Sequence, residues 1–193
     1  MNSSQMGVDG KEALCSELKA IVEKFAEDWE KKPMHWLQEI DVQCELACRI
    51  RKLFCDKKGI SSIIKAKHSN YGKGRTIYTF SRVTCEPYAN ITHDYLHPDI
   101  VVWADDAAAI NSGIKKMIWA CEIKYTDDKP NSDEDERRLT QLVAEGRLFS
   151  GLVLSLIINR RKKGLAIPKD SSRTNGKIDI LQRVGFPEKC ACE

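Results

Sequence analysis

The sequence has no long apolar run and no strong excess of charge of one sign. Its longest apolar segment, LFSGLVLSLII at residues 148–158, is shorter than the roughly 18 residues that a membrane-spanning helix requires. The N-terminus, MNSSQMGVDGKEAL, has no apolar segment of the kind found in signal peptides. We therefore expect a cytoplasmic protein with no membrane partner.

The net charge and the cysteines exclude further classes of protein. A formal net charge of +3 does not by itself indicate nucleic-acid binding, so any basic surface has to come from local clusters. The 8 cysteines include no CxxC pair and no histidine at a zinc-finger distance, which argues against a structural zinc site. In the cytoplasm these thiols are expected to be reduced.

The composition is that of one packed domain, with 42% hydrophobic and 31% charged residues. Apolar residues at helical spacing predict helices at 11–30, 34–54 and 132–149. Alternating or continuous apolar residues predict strands at 60–68, 75–86, 98–104, 117–126 and 151–158. The pattern after Leu165 is weak, and KIDILQRVGF at 177–186 is expected to add a short strand or a helix. The DEDE segment at 133–136 is interpreted as a solvated first turn of the last helix.

This order of elements predicts an α/β (α+β) fold. We expect a mixed central sheet of four to five strands flanked by helices, in the order α-β-β-β-α-β. Residues 1–33 are expected to form an N-terminal tail and a helix that packs on the core. Residues 34–193 are expected to form the main body of a single globular domain.

Two charged residues in the strand at 117–126 raise the question of a functional site. Strand side chains alternate between faces, so Glu122 and Lys124 share one face while the apolar residues of WACEIKY share the other. Asp99 opens the preceding strand and could converge with Glu122. Two nearby carboxylates repel each other and need a cation, and their oxygens are ligands that Mg²⁺ prefers. The alternative is an ordinary solvated sheet face.

The segment HPDIVVWADDAAAINSGIKKMIWACEIKY resembles the signature of the PD-(D/E)xK nuclease superfamily. Pro98-Asp99 matches the PD element, and Glu122-Ile123-Lys124 matches the ExK element on the following strand. The resemblance implies a restriction-endonuclease-like core and a nuclease-like domain at 34–193. It also implies Mg²⁺-dependent hydrolysis of phosphodiester bonds, with Mn²⁺ as a substitute. Asp99, Glu122 and the Ile123 carbonyl would hold the metal, and Lys124 would act on the attacking water.

The segment ELACRIRKLFCDKKGI at 45–60 resembles the first helix of the Holliday-junction-resolvase-type members of that superfamily. Glu45 is the position that matches, and the resemblance gives it the role of an auxiliary acid. Glu39 and Asp41 compete for the same role, and Glu45 could instead pair with Arg49 on the helix surface. The whole resemblance covers about residues 36–158.

A nucleic-acid partner, DNA rather than RNA, follows from this resemblance and from two basic clusters. The residues are Lys65, Lys67, Lys73 and Arg75 on the hairpin and Arg160 and Arg161 after the last core strand. The alternative is that they serve only solubility and turn formation. Gln141 matches the glutamine of a Gln-x-x-x-Tyr motif in RecB-type members, but Glu145 stands where that motif has tyrosine.

Three hypotheses follow for function. The first is a metal-dependent nuclease, which would act as a homodimer if it cut both strands of a duplex. The second is a non-catalytic nucleic-acid-binding or assembly module that keeps the nuclease-like fold. The third is an interaction protein whose helices at 11–54 dock a partner.

Overall fold

The computed structural model describes residues 6–36, 38–57, 60–69, 75–85, 98–104, 117–126, 132–158 and 170–186. Within these ranges the centre of the fold is a six-stranded mixed sheet. Its strands, in spatial order, are β3 (Val83–Cys85), β4 (Ile100–Trp103), β5 (Met117–Thr126), β6 (Leu148–Ile158), β8 (Ile178–Gly185) and β7 (Ser171–Asn175).

The sheet combines antiparallel and parallel pairs. Strands β3, β4 and β5 are antiparallel neighbours, β6 is parallel to both β5 and β8, and β7 is antiparallel to β8. Helix α3 (Asp133–Ala144) leads from β5 to β6, as a connection between parallel strands usually contains a helix. The mixed α/β class predicted from the sequence is therefore confirmed.

The expected strand count was wrong. The chain after Asp170 adds β7 and β8 to the sheet. The sequence left β8 open between a short strand and a helix, and it did not predict β7, which is exposed along its whole length and shows no apolar alternation. The predicted hairpin does form, from β1 (Ile63–Ser69) and β2 (Arg75–Ser81), but as a separate two-stranded sheet. The sheet therefore has six strands instead of four to five.

Helices α1 (Val8–Lys31) and α2 (Glu39–Asp56) pack on one face of the sheet. The apolar residues of α1 recur every three or four positions, so one stripe of the helix is buried: Leu14, Leu18, Val22, Phe25 and Trp29. A short 3-10 turn at Pro33–His35 separates the two helices. The second helix therefore begins at Glu39 and not at Met34, because proline fixes the chain direction at the turn.

Helix α3 covers the opposite face through Leu139 and Leu142. It ends at Ala144, five residues before the predicted end at 149, because Gly146 takes a left-handed conformation (φ 68°) and Leu148 already belongs to β6. Alternation along β5 serves both cores. Trp119 and Ile123 face α1 and α2, whereas Ala120 faces α3. Glu122 and Lys124 consequently lie on the α3 face.

A buried arginine joins the hairpin to the sheet. Arg82 lies between β2 and β3 and is fully buried. Its guanidinium donates hydrogen bonds to the carbonyls of Ser61 and Trp103 and lies 5.7 Å from the ring centre of Phe54. These contacts satisfy a charge that would otherwise be costly to bury.

No helix within the described ranges is long and apolar enough to cross a membrane.

The packing of α1 on β8 leaves no room for a side chain at Gly185. A Cβ there would lie 2.7 Å from Pro33 Cβ and 2.8 Å from a ring atom of Trp29. We expect Gly185→Ala to lower the free energy of unfolding by about 1–3 kcal/mol, because overpacking of this size displaces the indole or the strand. Chemical denaturation monitored by tryptophan fluorescence measures this change.

Gly10→Ala is the matched control. Gly10 is exposed in α1, and a Cβ there would meet only the unbranched side chain of Met6, with Cγ at 2.8 Å, and no backbone or ring atom. Alanine is favoured over glycine in helices by about 1 kcal/mol, so Gly10→Ala should leave stability unchanged or raise it. Equal effects of the two substitutions would contradict the close approach at Gly185.

Candidate metal and catalytic site

The site forms where β5 extends past the first residue of β4. Ile100, the first residue of β4, pairs with Cys121. Continuing this register places Asp99 beside Glu122, so the two residues share a face of the sheet. On its other side β5 stays paired with β6 as far as Thr126. Beyond Cys121, the backbone groups of β5 that face away from β6 therefore need hydrogen-bond partners other than β4.

Two carboxylates supply those partners. Asp99 Oδ2 accepts a hydrogen bond of 2.6 Å from the backbone N–H of Ile123. Glu39 Oε2, at the start of α2, accepts one of 3.2 Å from the backbone N–H of Tyr125. Unpaired backbone N–H groups are costly to bury, and here side chains of Asp99 and Glu39 take the place of the missing strand.

The carbonyl of Ile123 belongs to the same edge. In antiparallel strands the N–H and C=O of one residue face the same neighbouring strand. The register places Pro98 opposite Ile123, and proline has no N–H to donate. The Ile123 carbonyl is therefore directed to the side of Asp99 and available as an oxygen ligand.

Asp99 and Glu122 act on each other electrostatically, and both carboxyl groups have raised pKa values. Burial is the main cause that raises the pKa of Asp99, to about 6, against the hydrogen bond from Ile123. Burial, followed by the charges of Asp99 and Asp135, raises the pKa of Glu122 to about 8. The pair shares a proton because two buried carboxylates cannot both ionise without a cation. Glu122 is only 8% exposed, which contradicts the alternative of a solvated sheet face.

Lys124 lies on the same face of β5 and pairs with an acid from α3. Its Nζ is 3.2 Å from Asp135 Oδ2. Burial alone would lower the pKa of Lys124, but Asp135, Glu122 and Asp99 together raise it above its usual value. The side chain is about one-third exposed, at 35%. The site thus presents a charged ammonium group beside two carboxyl groups.

The DEDE segment corrects the interpretation of a solvated helical turn. Asp133 and Glu134 are exposed, but Asp135 and Glu136 are 4% and 9% exposed. Glu136 binds Arg173 of β7 through both carboxylate oxygens. The sequence does carry a signal for Asp135: it stands four residues before Leu139, on the apolar stripe of α3. Sequence reasoning missed it because acids in a first turn usually favour the helix dipole from the surface.

The structure distinguishes the three acids of α2 that compete for the role of auxiliary acid. Asp41 Oδ2 accepts from the backbone N–H of Gln38 at the helix start. Glu45 accepts a 2.8 Å hydrogen bond from Arg49, the alternative that the sequence left open. Glu39 is the acid at the site, and its charge acts on Asp99. Six residues along a helix rotate Glu45 by about 240° from Glu39, so α2 cannot direct both towards β5.

Tyr125 and Gln43 hold the start of α2 against the site. The hydroxyl of Tyr125 donates to the carbonyl of Trp36, and the Trp29 and Tyr125 rings meet edge to face at 6.3 Å. Gln43, one turn after Glu39, donates a 2.7 Å hydrogen bond to the backbone carbonyl of Asp99. Gln43 is only 2% exposed. The sequence did not predict this contact.

The predicted nucleic-acid contacts are only partly described. Gln141 is exposed on α3 and donates to Glu145, on the helix surface. Lys65 and Lys67 lie on β1 and Arg75 on β2, where Arg75 pairs with Ser69. The other predicted contacts lie outside the described residues: Lys73, Arg160 and Arg161. The role of all these residues stays a prediction.

Comparison with known proteins does not assign the chain to a family. No family model, no curated protein and no solved structure matches it. Within the described ranges, no group of three or more His, Cys, Asp and Glu side chains is arranged to hold a metal ion. A site for Mg²⁺ needs fewer protein ligands, since this ion commonly uses one or two carboxylates and keeps several waters.

The donor set fits such an ion. Asp99 and Glu122 provide carboxylate oxygens on one face of the sheet. The Ile123 carbonyl provides a third oxygen on the same edge. Hard oxygen donors of this kind suit Mg²⁺ or Mn²⁺ and not a soft metal.

The shared proton predicts how stability depends on pH. The folded-state pKa values of Asp99 (about 6) and Glu122 (about 8) lie above their usual values of 3.8 and 4.5. The folded protein therefore holds protons that the unfolded chain releases, and stability is lost as pH rises towards 8. In EDTA, the free energy of unfolding from urea titrations should fall between pH 5 and pH 8.

Two further measurements separate this cause from others. Glu122→Gln should flatten the dependence, because the amide does not titrate. Millimolar Mg²⁺ should restore stability of the wild type at pH 8, by mass action on the folded state, and have little effect on Glu122→Gln. A pH dependence that is the same in both proteins would contradict the shared proton.

Proposed function

We propose that this protein is a metal-dependent nuclease of the PD-(D/E)xK type that hydrolyses phosphodiester bonds in DNA. The observation that carries the proposal is the placement of Asp99 beside Glu122 at the edge of β5, with Lys124 on the same strand face. A buried acid pair with perturbed pKa values beside a cationic side chain is typical of functional sites.

The order of elements supports the proposal. Apart from the separate hairpin of β1 and β2, which lies between α2 and β3, the elements from α2 to β6 follow one another as α-β-β-β-α-β. This is the order expected of the restriction-endonuclease-like core. Asp99 stands at the start of the second strand and Glu122 and Lys124 on the third, as the motif requires.

The roles of the residues follow from their contacts. Asp99, Glu122 and the Ile123 carbonyl would hold Mg²⁺ or Mn²⁺. Such an ion, when bound, lowers the pKa of a coordinated water and neutralises charge on the phosphate. Asp99 is kept in place by the Ile123 N–H and by Gln43, which binds its backbone carbonyl.

Lys124 and Glu39 complete the site. The ion pair with Asp135 favours the charged form of Lys124. We therefore assign Lys124 to orient water and to stabilise negative charge on the phosphate, and not to remove a proton. Glu39, on the α2 side of the β5 edge, takes the role of auxiliary acid that the resemblance gives to Glu45.

A cleavage assay tests the proposal. Supercoiled plasmid and single- and double-stranded oligonucleotides of DNA and RNA are incubated with the protein in Mg²⁺, Mn²⁺ or EDTA. We expect cleavage of DNA that requires the metal. Asp99→Asn, Glu122→Gln and Lys124→Met should each lower the rate by about 100-fold or more, since single electrostatic groups at active sites contribute on that order.

Glu27→Gln is the control. Glu27 is an exposed acid of α1 that pairs with Lys24, and its loss should leave the rate unchanged. Cleavage that survives EDTA or the site substitutions would overturn the site. If the wild type cleaves no substrate but binds DNA, the non-catalytic binding module replaces the nuclease.

A second pair of variants tests which acid of α2 serves the site. Glu39→Gln should lower the rate about tenfold or more, because Glu39 bonds the β5 edge and acts on Asp99. Glu45→Gln removes the same charge from the same helix but only from a surface pair with Arg49, and should change the rate less than twofold. The reverse order of effects would show that Glu45 is the auxiliary acid.

A further inference from the structure

The carboxylate of Asp135 is a buried charge whose partners are few. Its side chain is 5% exposed, its Oδ2 lies 3.2 Å from Lys124 Nζ, and its Oδ1 lies 4.0 Å from Arg138 on the same helix. Burial of a carboxylate is unfavourable unless a cation and hydrogen bonds compensate it. Lys124 is therefore the contact that accounts for an acid at this position.

Rigid elements hold both members of this pair. Lys124 lies on the part of β5 that extends past β4 and stays paired with β6. Asp135 lies in the first turn of α3, which packs on the sheet through Leu139 and Leu142. The neighbouring Glu136 fastens the same turn to β7 through Arg173. The position of the Asp135 carboxylate relative to β5 is thus determined from two sides.

The lysine side chain gains direction from this contact. A lysine ammonium sits on a flexible four-carbon chain, which adopts many rotamers of similar energy in solution. The register places Ser155 of β6 beside Lys124, but within the described part of the chain the Ser155 hydroxyl has no hydrogen-bond partner. Asp135, and not the neighbouring strand, selects the position of the ammonium group.

We propose that Asp135 is a positioning residue for the reaction, which holds Lys124 Nζ on the face of β5 that carries Glu122. The inference rests on the proposed function. In this role Asp135 acts on the substrate through Lys124, and its charge also acts on Glu122. Misplacement of a catalytic group by about 1 Å can cost on the order of 100-fold in rate. Cleavage is therefore faster when the ammonium group of Lys124 is held in place than when it is free to move.

The experiment compares Asp135→Asn with Glu134→Gln in steady-state cleavage of a DNA oligonucleotide in Mg²⁺. Both variants lose one carboxylate from the first turn of α3. Glu134, however, is exposed, and within the described part of the chain it pairs only with Arg137 and Arg138. Asp135→Asn should lower kcat about 10- to 100-fold and change KM less than twofold. Glu134→Gln should change neither.

A double-mutant cycle on thermal unfolding separates positioning from a general loss of structure. In the wild type, Asp135→Asn should lower Tm because it removes the partner of Lys124. In a Lys124→Met background it should raise Tm, because it removes a buried carboxylate that has lost its main partner. The same sign in both backgrounds would show that Asp135 does not act through Lys124.

The outcomes distinguish this inference from the proposed function. If the wild type cleaves no substrate, the proposed function fails and the inference fails with it. If the wild type cleaves DNA and Asp135→Asn keeps its kcat, only the inference is overturned. An equal fall of kcat in Glu134→Gln would overturn it as well, because a surface charge would then have the same effect.

Discussion

The structure around the site depends on one constraint: β5 is longer than β4, and the edge of β5 beyond Cys121 must find hydrogen-bond partners. Asp99 and Glu39 satisfy the N–H groups of Ile123 and Tyr125. This requirement brings two acids to one edge of the sheet and places Asp99 against Glu122. Backbone satisfaction and the convergence of carboxylates thus have the same origin.

The convergence of the two carboxyl groups has an electrostatic cost, and both groups lie on the face of the sheet towards α3. The face towards α1 and α2 is apolar, with Trp119 and Ile123 in a continuous core. The face towards α3 is apolar only in part, and there Glu122, Lys124 and Asp135 lie together. A proton or a cation has to compensate the acid pair, so a site that binds metal also gains stability from it.

Much of this site could be predicted from the sequence because its rules are local. Alternation along β5 places Glu122 and Lys124 on one face without knowledge of any other element. Whether the strands of Asp99 and Glu122 lie side by side was left open by the sequence, and the pairing of β4 with β5 decides it. The expected count of strands failed at Ser171–Asn175, because an exposed edge strand buries no residue and leaves no apolar pattern.

The sequence by itself determined the strand faces, the order of helices and strands around the motif, and the identity of its two acids and lysine. Only the tertiary structure decided which acid of α2 reaches β5, and that Asp135 is buried against Lys124 instead of solvated. These choices depend on the rotation of each helix about its axis and on what covers it. Both are set by packing between elements distant in the chain, which no local pattern encodes.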